Sequence, residues 1–154
     1  MSFRCVVAGV AIIFLAFGVA VTQRAEASDT GANAAMRITV SANGREVEYE
    51  LNDSRASKDL LAQLPMTIKV ENYGGIEKIF YPPTKLNTSD TPLAKDIKAG
   101  TLAYYAPWAD VVMFYDSFHP AAGLYELGNI VSGGEHIESL SGEIRIEITR
   151  ASDN

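Results

Sequence analysis

The fold class the sequence predicts is mainly β: short antiparallel strands closed into a barrel or stacked as a sandwich. Three observations carry this. Apolar residues recur at every second position in several short segments, turn-forming residues punctuate the intervals, and one stretch alone has convincing helical spacing.

The first segment lies outside that domain. Met1 to Arg4 carries one positive charge, Cys5 to Thr22 is an almost unbroken apolar run, and Ala25-Glu26-Ala27 supplies a small-x-small site. Export and signal peptidase require those features in that order, so residues 1–27 read as a signal peptide cleaved after Ala27. An uncleaved membrane anchor is the alternative, since the apolar run is near the lower length of a bilayer span, about 17–25 residues. The Ala-Glu-Ala site favours cleavage. Residues 28–35 are small and polar, without periodicity, and read as a flexible leader. Residues 36–150 form the predicted domain, expected in the periplasm or secreted.

Cleavage removes Arg4, Arg24, Glu26 and Cys5, leaving 127 residues with 11 basic and 18 acidic side chains and a formal charge of −7. That length fits one domain with a single core. Nucleic acid needs a basic footprint, and an anionic membrane surface attracts basic segments; this charge argues against both as partners. Without cysteine no disulfide scaffold can form, so stability has to come from burial and backbone hydrogen bonds.

Met36, Ile38 and Val40 alternate with polar residues, and after Asn43-Gly44 the alternation resumes at Val47, Tyr49 and Leu51. Asn-Gly supplies the positive backbone angles of a tight primed turn, so this is a β-hairpin. Asn52, Asp53 and Ser54 are capping residues, and Ala56, Leu60, Leu61 and Leu64 recur at helical spacing until Pro65. One short helix follows, covering an open end or face of the sheet. Met66 to Val70 and Ile76 to Tyr81 read as strands around the Gly74-Gly75 turn, the second halted by Pro82-Pro83. Thr84 to Ala99 is a long loop, and loops of that length are often functional. Thr101 to Ala106 and Val111 to Tyr115 are dense in aromatic and β-branched residues without clean alternation, as strands buried on both faces are. Pro107 to Asp110 turns between them. Leu124 to Val131 is a further strand, Ser132 to Gly134 a loop and Ile137 to Leu140 one helical turn. Ile144, Ile146 and Ile148 complete the pattern as an amphipathic strand. The count is about eight strands, and closure into a barrel removes exposed edges that invite aggregation.

The stretch Gly100-Thr-Leu-Ala-Tyr-Tyr-Ala-Pro-Trp-Ala-Asp-Val-Val-Met-Phe-Tyr115 resembles the central signature of a bacterial family of cyclophilin-like domains. The hairpin at Ile38 to Leu51, Leu64-Pro65 ending a leucine-bearing helix, Gly74-Gly-x-Glu-Lys78 and Gly123-Leu-x-x-Leu-Gly128 agree with it in order, so that the likeness spans about Arg37 to Ile148. It implies a closed, antiparallel, eight-stranded cyclophilin-like barrel with one or two short helices, and no established activity. Prolyl isomerases of this fold rely on an arginine in a Phe-His-Arg-containing motif, and no such motif stands here. Arg37, Arg45, Arg55, Arg145 and Arg150 all read as structural or solvent-facing.

The richest constellation is aromatic: Tyr73, Phe80, Tyr81, Tyr104, Tyr105, Trp108, Phe114, Tyr115 and Phe118. Part of any such set fills the core. Trp108 differs, because a large ring in a turn has to line a groove or plug the barrel end. Glu77 and Lys78 follow the glycine pair and either meet a ligand or form an ordinary surface ion pair. Burial of Glu77 between Ile76 and Ile79 would raise its pKa and make it a general-base candidate. His119, near Asp116, and His136, beside Glu135, match no zinc spacing, and Ser117 cannot use His119 as a base by adjacency. No phosphate-cradling glycine loop is present.

The expected function is therefore that of an exported binding module. A groove on the barrel wall, lined by Tyr73, Tyr81, Tyr105, Trp108, Phe118 and His119 with Glu77 as polar anchor, would take an extended peptide or a small organic ligand. No cofactor and no metal is expected, no catalytic residue is nominated, and no membrane contact is expected after cleavage. The alternatives are a divergent prolyl isomerase acting on exported proteins and a partner subunit associating through an exposed aromatic patch.

Overall fold

A computed structural model describes residues 35–149. The expected signal peptide, all of the leader but Ala35, and Arg150 lie outside the described residues. Eight strands run in the order β1 (Arg37–Ala42), β2 (Arg45–Leu51), β3 (Met66–Tyr73), β4 (Glu77–Phe80), β5 (Thr101–Tyr105), β6 (Asp110–Phe114), β7 (Leu124–Ser132) and β8 (Gly142–Thr149). Every pairing is antiparallel, and the sheet closes on itself as β1-β2-β7-β5-β6-β4-β3-β8. This is the closed eight-stranded barrel predicted above.

The alternating segments form as their chemistry requires. Asn43 and Gly44 have φ of 54° and 73°, so the β1–β2 turn is the primed type that matches strand twist. It sets Val40 opposite Val47 and Ile38 opposite Tyr49, all four buried in the barrel. Helix α1 (Arg55–Leu61) begins where the Ser54 hydroxyl accepts from the Ser57 amide at 3.3 Å, and it ends a turn short of Leu64. Ala56 and Leu60 join the interior core from the end where β2 finishes. A 3₁₀ helix (Gly134–Ser139), longer than the single turn expected, inserts Ile137 beside the start of β2. Gly133 makes that approach possible: a Cβ on it would lie 2.1 Å from the Glu46 carbonyl oxygen. The two ends of the barrel are thus closed by different helices.

Two apolar clusters result. One fills the interior, with Tyr49, Phe80, Leu102, Tyr104, Val111, Met113 and Ile144 among its members. The other lies outside the wall, where Ile79 of β4, Ala103 of β5, and Val112 and Phe114 of β6 meet Ala94, Ile97 and Leu124. Being covered on both faces is why β5 and β6 lack alternation in their sequences. The 84–99 loop supplies part of that cover. Its Ile97 carbonyl accepts from the Phe118 amide at 3.2 Å, which ties it to the segment after β6.

Candidate functional site

Beside the second cluster, the outer wall opens into a cavity of about 420 Å³. Its floor is the outward face of three strands: Glu77 on β4, Tyr105 on β5, and Asp110, Val112 and Phe114 at alternate positions on β6. Tyr73 at the end of β3, with Gly74 and Ile76 of the β3–β4 turn, forms one wall, Trp108 of the β5–β6 turn a second, and Phe118, Ala121 and Leu124 a third.

The walls are held by local chemistry. Gly74 and Gly75 adopt φ of 59° and 69°, which lets the β3–β4 turn fold tightly and carry Tyr73 to the rim. In the β5–β6 turn the Trp108 and Ala109 amides donate to the Tyr105 carbonyl at 3.3 and 2.9 Å. Pro107 packs on Gly123, where a Cβ would come within 2.9 Å of the proline ring. Ala109 stands at φ 59°, a left-handed conformation that disfavours a residue with a Cβ. Trp108 emerges half-exposed and meets Tyr73 and Tyr105 edge to face, with centroids 5.2 and 5.4 Å apart. Phe118 stacks on Phe114 at 5.9 Å.

Two carboxyl groups open onto these rings. Asp110 is 1% exposed, and its Oδ1 has no hydrogen-bond partner. Burial pushes its pKa up to about 6, against the opposing pull of its own backbone amide. Burial and then the charge of Asp110 push half-buried Glu77 up to about 7. No ion pair among the described residues involves either acid, and no lysine or arginine lines the cavity.

Of the residues singled out from sequence, Tyr73, Glu77, Tyr105, Trp108 and Phe118 share this cavity. Two do not line it. Tyr81 comes just after the end of β4 and is exposed; partial desolvation and then the charges of Asp110 and Glu71 raise its pKa. His119 lies against Phe118, with centroids 4.0 Å apart, and is exposed to solvent. Lys78, paired with Glu77 in the sequence reading, is buried beside it on β4, because successive residues of a strand point to opposite faces. No ion pair joins the two. Phe80 and Tyr104 are interior residues, and the long loop supports the groove without lining it.

Asp110 is the site residue that sequence reasoning missed, having been assigned to the turn. The signal was a lone acid opening an otherwise apolar strand, in phase with Val112 and Phe114. A more open depression of about 520 Å³ lies at the β1–β2 turn, between Asn43, Arg45, Glu46 and His136, but it contains no buried unpaired group. Among the described residues no group of three or more His, Cys, Asp or Glu is placed to hold a metal ion.

A family model described as the cyclophilin-like family matches residues 40–149. Among solved structures, the solution structure of a hypothetical protein from Archaeoglobus fulgidus is similar over 75% of this chain and 96% of that one. The two are 20% identical and superpose with a TM-score of 0.57, a likeness of fold alone. No curated protein matches.

Proposed function

The chain belongs to the cyclophilin-like family, and from that premise we propose that it is a binding module whose outer-wall groove takes an extended peptide or a small organic ligand. The observation that supports this is the groove itself: about 420 Å³, mostly ring and aliphatic surface, with Glu77 and Asp110 its only carboxylates among the described residues. Apolar walls with a few fixed polar groups are the usual make-up of ligand sites. The prolyl-isomerase alternative has less support, because the arginine motif of that activity is missing from the sequence and no lysine or arginine lines the groove.

The N-terminal pattern supports export as the setting. N-terminal sequencing of protein recovered outside the cytoplasm should begin at Ser28; recovery with Met1 in the membrane fraction would contradict export with cleavage. For binding, a thermal-shift screen of short peptides and small organic compounds should find ligands that raise Tm, because a ligand selective for the native state stabilises it. Trp108→Ala should abolish those shifts with the fold retained. A screen without shifts, or shifts that survive Trp108→Ala, would contradict the groove as the binding site.

A further inference from the structure

The groove joins two features that are separately ordinary. Tyr73 and Tyr105 each stand nearly perpendicular to Trp108, so three rings form a corner. On the floor beneath lies Asp110, 1% exposed, with Oδ1 unpartnered. A buried carboxylate is strongly disfavoured unless a cation or several donors meet it. Among the described residues no cation of the protein does so: Lys78 points to the opposite face, and no lysine or arginine lines the cavity.

Resting on the reading of the groove as a ligand site, we propose that its ligand carries an organic ammonium group, seated against Asp110 and Glu77 with its carbon skeleton in the corner formed by Tyr73, Tyr105 and Trp108. The missing counter-charge then comes from outside. An aromatic corner attracts a cation through the negative faces of its rings and accepts the apolar carbons attached to it, which water would not. A bare divalent metal is a poorer fit. Calcium takes six to eight oxygens and magnesium demands near-octahedral geometry, whereas this floor offers two carboxylates among rings. Organic ammonium groups come from two sources, a lysine side chain in a peptide or a free amine, and the shared chemistry is what the site reads.

The titratable groups around the bound charge are Glu77 on β4, Asp110 on β6, Tyr105 on β5 and Tyr73 on β3, with Tyr81 beyond the end of β4 and, farther along the same face of β3, Glu71 paired with Lys69; no histidine lines the cavity. Each acid attracts the cation more strongly once ionised, so affinity should rise from pH 5 to pH 8.

Trp108 is the chain's one tryptophan, so its emission reports the site alone. Titration at pH 8 would use benzylammonium, the neutral isostere benzyl alcohol, benzoate and the peptide acetyl-Gly-Lys-Gly-amide. The expected result is saturable change with benzylammonium or the lysine peptide, at least about tenfold tighter than with benzyl alcohol, the scale of one charge-assisted hydrogen bond. The tighter of the two cations identifies the source. Glu77→Gln and Asp110→Asn should each weaken binding about tenfold with the circular dichroism spectrum unchanged, Glu77→Gln sufficing should the other not fold. Benzyl alcohol or benzoate binding as tightly would overturn the ammonium and leave the groove standing. Failure of both cations to bind would overturn it too, while the broader screen decides the groove independently.

Discussion

Among the described residues, the barrel interior and the outer-wall groove each hide one unpaired oxygen, and the two are chemically opposite. Inside, the Tyr49 hydroxyl is buried without a partner in the apolar core. Burial alone raises its pKa far out of the physiological range, so the group stays neutral and its burial is a modest, fixed cost. Outside, the unpaired oxygen belongs to an acid that is charged above about pH 6 and borders a cavity. A closed core can tolerate an idle dipole. An idle charge at the bottom of an open groove is a different matter, since its stabilisation can arrive with a ligand. The interior is built for packing and the groove departs from that plan at one residue.

The largest expected effect lies in the interior. Leu102→Ala removes a fully buried side chain and should destabilise the protein by about 3 kcal/mol in chemical denaturation. A loss under about 1 kcal/mol would mean that the interior is loosely packed, and the contrast with the groove would fail.

Asp110→Asn comes next and carries a pH signature. Its folded pKa, about 6, lies above the ordinary 3.8, so ionisation opposes folding. The penalty is absent below about pH 4, grows between pH 4 and 6, and is complete above. The variant should match the parent at pH 4 and exceed it by about 1–3 kcal/mol at pH 8. Equal stability across that range would mean that the carboxylate is already compensated.

Tyr49→Phe deletes the other unpaired oxygen and should be neutral or stabilising by up to about 1 kcal/mol, equally at pH 4 and pH 8. A pH-dependent effect would erase the distinction between the two oxygens. The smallest change is expected at Ala109→Gly, which relieves a left-handed alanine but adds freedom to the unfolded chain. Stability should move by no more than about 0.5 kcal/mol. A shift above about 1 kcal/mol would show the Trp108 turn to be braced like the core.

The barrel was legible where one face of a strand meets water. The β1–β2 hairpin and β8 alternate cleanly, and Asn43-Gly44 names its own turn. Trp108 was legible for the converse reason, a large ring at a turn that has no interior to fill. Legibility failed at β5 and β6, which are covered on both faces, so their sequences do not say which side chains face in. Asp110 was hidden there, and Phe114 was not separated from Phe80 and Tyr104. Tyr81 and His119 were misplaced by adjacency: one follows a strand that stops at Phe80, and the other flanks a ring that does line the groove.

The central claim is that a charge awaits a partner on the outer wall, and carboxyl-carbon NMR of Glu77 and Asp110 against pH, with and without benzylammonium, tests it most directly. The account predicts midpoints near 7 and 6 in the free protein, both moving downward when the cation binds. Midpoints near the ordinary 4.5 and 3.8, unmoved by the amine, would contradict it.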